Sequence, residues 1–179
     1  MKSAKIRHRI LMLYSGIVRL LTRPALDEIP LLRRFRGALY AAAMSECGSN
    51  LQVSSDAILW GLEHMELGRD IYIGPRVSII CLDKLRIGDG VLLGPNVVIS
   101  NGNHVREEGI YKIDKNESHP IAIGAGSWIG ANAAILAGVT IGKGVLVAAN
   151  AVVSRDVPDG DVVGGIPARS LRKSPDEPA

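Results

Sequence analysis

The sequence predicts a mainly β protein: a parallel β-solenoid with a helical segment in front of it. Three observations carry that prediction. Aliphatic side chains recur every six residues through much of the chain, glycine often follows them, and aromatic residues make up only 4% of 179 residues. A chain of this length buries a sizeable core, and with a single phenylalanine that core must be aliphatic. The 47% hydrophobic content argues against disorder.

The repeating positions run Val53, Leu59, Leu67, Ile73, Ile79, Ile87, Leu93 and Ile99, then Ile123, Ile129, Ile135, Ile141, Val147 and Val153. Ten of the thirteen intervals are six residues. That period is incompatible with a helix. It suits a short strand with alternate side chains inward, followed by a sharp corner where glycine relieves the backbone. Three such sides close a triangular coil of about eighteen residues, and coils stack into a solenoid. The odd intervals start at Leu59, Ile79 and Ile99, so all three insertions leave the same corner of successive coils. The third is a long excursion over residues 100–120, a place where function concentrates.

The residue before each repeating position points outward, which sorts the faces. One face carries Tyr72, Leu92, Trp128 and Leu146, a second Ile58, Ser78, Val98, Ala134 and Val152, and a third Glu66, Arg86, Ala122 and Thr140. Two apolar faces predict self-association, and a homotrimer is the natural closed solution for a triangular prism.

Ahead of the solenoid, Ala4–Leu21 and Leu31–Met44 read as two amphipathic, arginine-bearing helices broken around Pro24 and Pro30. The expected organisation is a helical cap over residues 1–48, the solenoid over 49–171 and a frayed tail over 172–179. Residues 1–40 hold nine Lys/Arg against Asp27 and Glu28, a net +7, whereas the whole chain is +3. A basic head on a mildly acidic body suits a cap or, as a second reading, peripheral membrane contact. Nucleic acid is not expected, because no aromatics interleave the basic residues. The run Ile10–Val18 is too short to span a bilayer and lacks a small-residue cleavage site, so neither a transmembrane segment nor a signal peptide is expected. Two cysteines, Cys47 and Cys81, make no disulfide framework and point to a reducing compartment. The expected location is the cytoplasm, at the inner face of the membrane if the head touches lipid.

Four histidines are available for acid–base work near neutrality. His8 lies in the basic head, and His119 precedes Pro120 where the excursion rejoins the coil and reads as structural. His64, Lys84 and His104 each fall five residues after their repeating position and share a corner, where a solvated edge is expected. His104 stands apart because it lies in the excursion, within ISNGNHVREEG, whose small and amide residues suit a held imidazole.

The run IAIGAGSWIGANAAILAGVTIGKGVLVAANAVVSRDVPDGDVVGGIPARSLR resembles the C-terminal signature of hexapeptide-repeat acetyltransferases, among them the galactoside and maltose O-acetyltransferases and polysaccharide-modifying relatives. The resemblance covers roughly residues 65–173. It implies a left-handed coil, an exception to the usual right-handed crossover, and acetyl-CoA as co-substrate in a groove between neighbouring prisms, with no metal. It implies that His104 is the catalytic base, and that Ala131, Ala149, Ser154, Arg155, Arg169 and Arg172 bind the donor. In that scheme alanine backbone groups meet the pantetheine amides and arginines meet the phosphates. The acceptor position that holds asparagine in sugar acetyltransferases matches Arg76 here, with Ser78 and Asp83 nearby and Trp128 also assigned to substrate; an arginine there favours an anionic acceptor or a different sugar.

The implied function is acetyl-CoA-dependent O-acetylation of a sugar or polysaccharide-precursor hydroxyl, with direct transfer and no covalent intermediate. Acetylation of an amine on an amino-sugar or xenobiotic is the enzymatic alternative. A zinc hydratase on the same solenoid would need a close histidine pair that this sequence lacks, and a non-catalytic scaffold or binding module is the reading from another class.

Overall fold

The computed structural model describes residues 9–17, 27 and 29–172. Short strands stack into three parallel sheets, the faces of a triangular solenoid. Face A is built from Glu46–Cys47, Met65–Leu67, Leu85–Ile87, Ile121–Ile123 and Thr140–Ile141. Face B runs from Gln52–Val53 through Tyr72–Ile73, Leu92–Leu93, Trp128–Ile129 and Leu146–Val147 to Val162–Gly164. Face C comprises Ile58–Trp60, Ser78–Ile80, Val98–Ser100, Ala134–Ile135 and Val152–Val153. The chain passes A to B to C and back. Arg169–Ser170 turns antiparallel onto Val162–Gly164 and ends the stack.

The three outward rows fall in the register that the six-residue step predicts. Tyr72, Leu92, Trp128 and Leu146 are paired neighbours on face B. Ile58, Ser78, Val98, Ala134 and Val152 are neighbours on face C. The residue after each points in, so Val53, Ile73, Ile79, Leu93, Ile99 and Ile135 are wholly buried.

Glycine serves the coil differently from the expectation. The glycines that follow the repeating positions do not supply left-handed backbone. They allow close stacking: a Cβ at Gly124 would lie 2.4 Å from the carbonyl carbon of Gly142 in the next coil. Left-handed residues come two positions later, as Asp70, Gly90, Gly126 and Gly144 at the A–B corner and Arg76, Asn96, Asn132 and Asn150 at the B–C corner. Asn tolerates that conformation and its amide bonds the coils above and below, Asn96 Nδ2 to Asn132 Oδ1 at 2.9 Å and Asn132 Nδ2 to Asn150 Oδ1 at 3.2 Å.

Helix α1 spans residues 9–17 and α2 spans Pro30–Ala41. The remainder of the first predicted helix lies outside the described residues. Pro30 opens α2 instead of preceding it, because a first-turn position needs no N–H. The solenoid begins at Glu46, inside the stretch expected to be cap, since Glu46–Cys47 already pairs with Glu66–Leu67. The two helices cover the open end of the first coil. Arg36, 2% exposed, donates to the carbonyl of Val53 and pairs with Asp27 at 2.9 Å. Asp27 in turn accepts from the Ser55 amide and hydroxyl, each at 2.9 Å. Ser15 Oγ donates to the Leu59 carbonyl at 2.8 Å. Gly37 packs so tightly that a Cβ would fall 1.9 Å from Leu51 O. Edge carbonyls of faces B and C, otherwise unpaired, are thereby satisfied. Among the described residues no helix is long and apolar enough to cross a membrane.

Candidate active site

The long excursion leaves the C–A corner and returns as an antiparallel hairpin, Gly102–Glu107 against Ile110–Ser118. Glu108 and Gly109, both left-handed at φ 49° and 84°, make the two-residue connection that the twist of paired strands favours. Pairing runs in step from Gly102 with Ser118 to His104 with Asn116, then resumes at Arg106 with Tyr111. Val105 therefore stands against the bulged stretch Lys112–Lys115. The bulge brings the Lys112 carbonyl to the imidazole: His104 Nδ1 lies 3.0 Å from Lys112 O. A carbonyl can only accept, so this bond holds the proton on Nδ1 and leaves the Nε2 lone pair free. The ring is exposed and borders an open cleft of about 180 Å³ with Tyr111, Lys112 and Ile113.

Asn101, which sequence reasoning missed, pins the root of the hairpin. It is wholly buried. Its Oδ1 accepts from the amides of Leu82 at 2.7 Å and Asp83 at 3.3 Å, and its Nδ2 donates to the carbonyls of Asp83 and Lys84. Its own carbonyl accepts from the His119 amide at 2.9 Å, so both legs of the excursion are held at one point. The signal was an amide at a corner position occupied by Gly61 and Cys81 in the coils before.

The predicted acceptor residues are dispersed in the single chain. Arg76 sits at the B–C corner, across face C from the root of the hairpin, with Nε 2.7 Å from Asn96 Oδ1 and its amide 2.9 Å from Asp56 Oδ1. Trp128 stands 53% exposed on face B. Ser78 lies on face C, and Asp83 is next to Asn101 with its carboxylate on the Lys84 amide at 2.6 Å. The chain places only Asp83 at the corner from which His104 projects. There Lys84 is not a free cation, because its Nζ is 2.5 Å from Glu66 Oε1. His64 closes a short turn, its amide 2.9 Å from Gly61 O.

The predicted donor-binding residues show a pattern of their own. Ser55, Pro75, Pro95, Ala131 and Ala149 occupy one B–C corner position in successive coils. Its N–H has no place in the ladder, so proline fits twice. Ser55 gives its amide to Asp27, whereas the amides of Ala131 and Ala149 have no partner among the described residues. Two adjacent coils thus offer unused donors, which suits amide carbonyls of an extended ligand. At the far end of the solenoid, Arg155 and Arg169 line one cleft of about 230 Å³ with Asp161 and Ser170. Arg172 leans toward Asp161 at 4.0 Å, and Ser154 is exposed beside Arg155.

Neither cysteine is set up as a nucleophile. Burial, reinforced by Glu63, pushes the Cys81 thiol up to about 12, and burial also raises Cys47. Among the described residues no group of three His, Cys, Asp or Glu side chains is placed to hold a metal ion.

Residues 120–155 match the family profile of the bacterial transferase hexapeptide (six repeats). The chain is 31% identical over 138 residues to the galactoside O-acetyltransferase of Escherichia coli, covering 77% of this chain and 68% of that protein. It spans 63% of the galactoside O-acetyltransferase of Lactococcus lactis, at 29% identity over 72% of this chain. A hexapeptide-repeat acetyltransferase of Vibrio cholerae, solved with acetyl coenzyme A, superimposes with a TM-score of 0.79 at 31% identity, covering 92% of this chain and 87% of that one. Coil period, stacking glycines and sequence likeness over three quarters of the chain agree, and the chain belongs to the hexapeptide-repeat acetyltransferases.

Proposed function

We propose that this protein transfers the acetyl group of acetyl-CoA to a hydroxyl of a saccharide, with His104 as general base. The observation that carries the reading is the His104 Nδ1 bond to Lys112 O at 3.0 Å, which presents an unprotonated Nε2 to an open cleft. Acetyl-CoA, when bound, supplies an activated acetyl thioester. The free amides of Ala131 and Ala149 and the paired cations Arg155 and Arg169 are the groups that would hold it, by its amides and its phosphates. A sugar hydroxyl is a poor nucleophile near neutral pH. Nε2 takes its proton as the oxygen attacks the acetyl carbon, a contribution of about 10²–10⁴-fold, and then delivers that proton to the departing sulfur. No enzyme-bound acyl group is needed.

One chain presents His104 on a hairpin with an open cleft and leaves two apolar faces uncovered. A homotrimer closing on those faces supplies the missing wall, with the donor lying along the seam between subunits. The donor is an intracellular metabolite, which puts the reaction in the cytoplasm. His104→Ala is expected to lower kcat by at least about 10²-fold with acetyl-CoA affinity by calorimetry nearly unchanged. Unaltered turnover would remove His104 from the chemistry.

A further inference from the structure

We propose that the outer surface of the helical cap docks on an anionic lipid surface. The two cap helices carry large apolar residues on the side away from the coil as well as on the side that packs against it. Their inward sides place Tyr40 in the core, with Tyr14 and Leu39 packed against it, and set Ser15 and Arg36 on the edge carbonyls of Leu59 and Val53. Their outward sides carry further large apolar residues. Ile10, Leu13 and Ile17 form one stripe on α1, 61%, 66% and 44% exposed, and Leu31 and Phe35 form another on α2, 72% and 57% exposed. Their spacings of three, four and four residues place each set along a single helix face. The polar contacts lie on the side of each helix that meets the first coil, so the stripes lie on the side turned away from it.

The charge around that surface selects the occupant. Neither α1 nor α2 contains an acidic residue, and exposed Arg9 and Arg34 flank the apolar stripes. The nearest carboxylate in the described cap, Asp27, is already engaged by Arg36 and Ser55. Residues 1–40 carry net +7 while the rest of the chain is net −4, so contact between the caps of two copies is opposed by like charge, whereas an anionic layer complements the cap. An apolar stripe with only cations beside it is the pattern of a helix lying in a lipid headgroup layer, where apolar insertion and attraction to anionic headgroups add. The trimer proposed above would set three such caps in one plane and strengthen binding by avidity; the surface itself is present in each chain.

Vesicle co-sedimentation of the full chain tests this. With vesicles of phosphatidylcholine containing about a third phosphatidylglycerol, binding is expected to exceed that to pure phosphatidylcholine by at least about tenfold and to fall as NaCl rises from about 0.1 to 0.5 M. The double substitution Leu31→Glu/Phe35→Glu is expected to reduce that binding at least about tenfold, with the thermal melt and acetyl-CoA turnover retained. Equal or absent binding on both vesicle types, or a double variant that binds like the parent, overturns the proposal. A double variant that loses its assembly state, with no vesicle binding by the parent, reassigns the surface to a protein contact. Turnover and vesicle binding are read separately, so failure of the proposed chemistry leaves this test intact.

Discussion

His104 depends on a neighbour too distant in register for its hydrogen-bond partner to be read off its own position. The bond from Nδ1 to Lys112 O fixes which nitrogen carries the proton, and Asn101 fixes where the hairpin bearing both residues leaves the solenoid. Asn101→Ala strips the Leu82 and Asp83 amides of their acceptor inside a buried corner, at about 1–3 kcal/mol per orphaned group. The expected outcome is a lower melting temperature together with a kcat reduced at least about tenfold, and an acetyl-CoA affinity that hardly moves. Asn101→Asp keeps the acceptor but turns a carboxylate oxygen toward the Asp83 and Lys84 carbonyls in a buried corner, so kcat should fall in that variant as well. A kcat that stays at the parent value in both variants would show that the pin serves the fold alone. Cys81 is the contrasting case, a potential nucleophile held as a thiol by burial and by Glu63. Iodoacetamide near pH 8 should leave Cys81 unmodified by mass spectrometry and turnover intact.

At the scale of elements, each corner does separate work. The B–C corner is a ladder of side-chain amides that locks coil to coil, and Arg76 belongs to it through Asn96. The A–B corner is built from left-handed residues and close glycine contacts. On face A the link is ionic: Glu66 is hydrogen-bonded by Lys84 and, to a smaller extent, by Arg86, and these bonds hold its carboxyl below the ordinary range. A carboxyl lowered in the folded state stabilises the protein above its unfolded pKa, and that contribution disappears as pH falls through the folded value. Glu66→Gln should therefore shift the melting temperature slightly downward at neutral pH, and the two melts should converge in acid below the carboxylate range. A difference that persists unchanged into acid would assign the effect to packing. The pair is solvent-facing, so the shift is small.

For the whole molecule, the decisive feature is the combination of two uncovered apolar faces with a hairpin that reaches beyond its own prism. Trp128, in line with Leu92 and Leu146, presents the largest apolar surface on face B. Trp128→Glu places a charge where the proposed seam is dry. Analytical ultracentrifugation is expected to show trimer for the parent and monomer for the variant, with turnover lost alongside assembly. A parent chain that sediments as a monomer would leave both faces without a role and the site without its second wall.

The solenoid was legible because its cause is local. A six-residue step joined to strand alternation sets which side chain points inward and which outward, and Tyr72, Leu92, Trp128 and Leu146 fall into one row by that rule alone. The three insertions shared a corner for the same reason, since each begins twenty residues after the last. Tertiary structure alone decided the rest. The partner of His104 arises from a register shift between strands, the burial of Asn101 from the loop of the preceding coil, and the outward turn of the cap's apolar stripes from polar groups recruited to close an open sheet edge. These depend on contacts between residues whose separation no repeat encodes, so the periodic part of the chain announced its architecture while the partners that hold the candidate site residues were decided only when the coils were stacked.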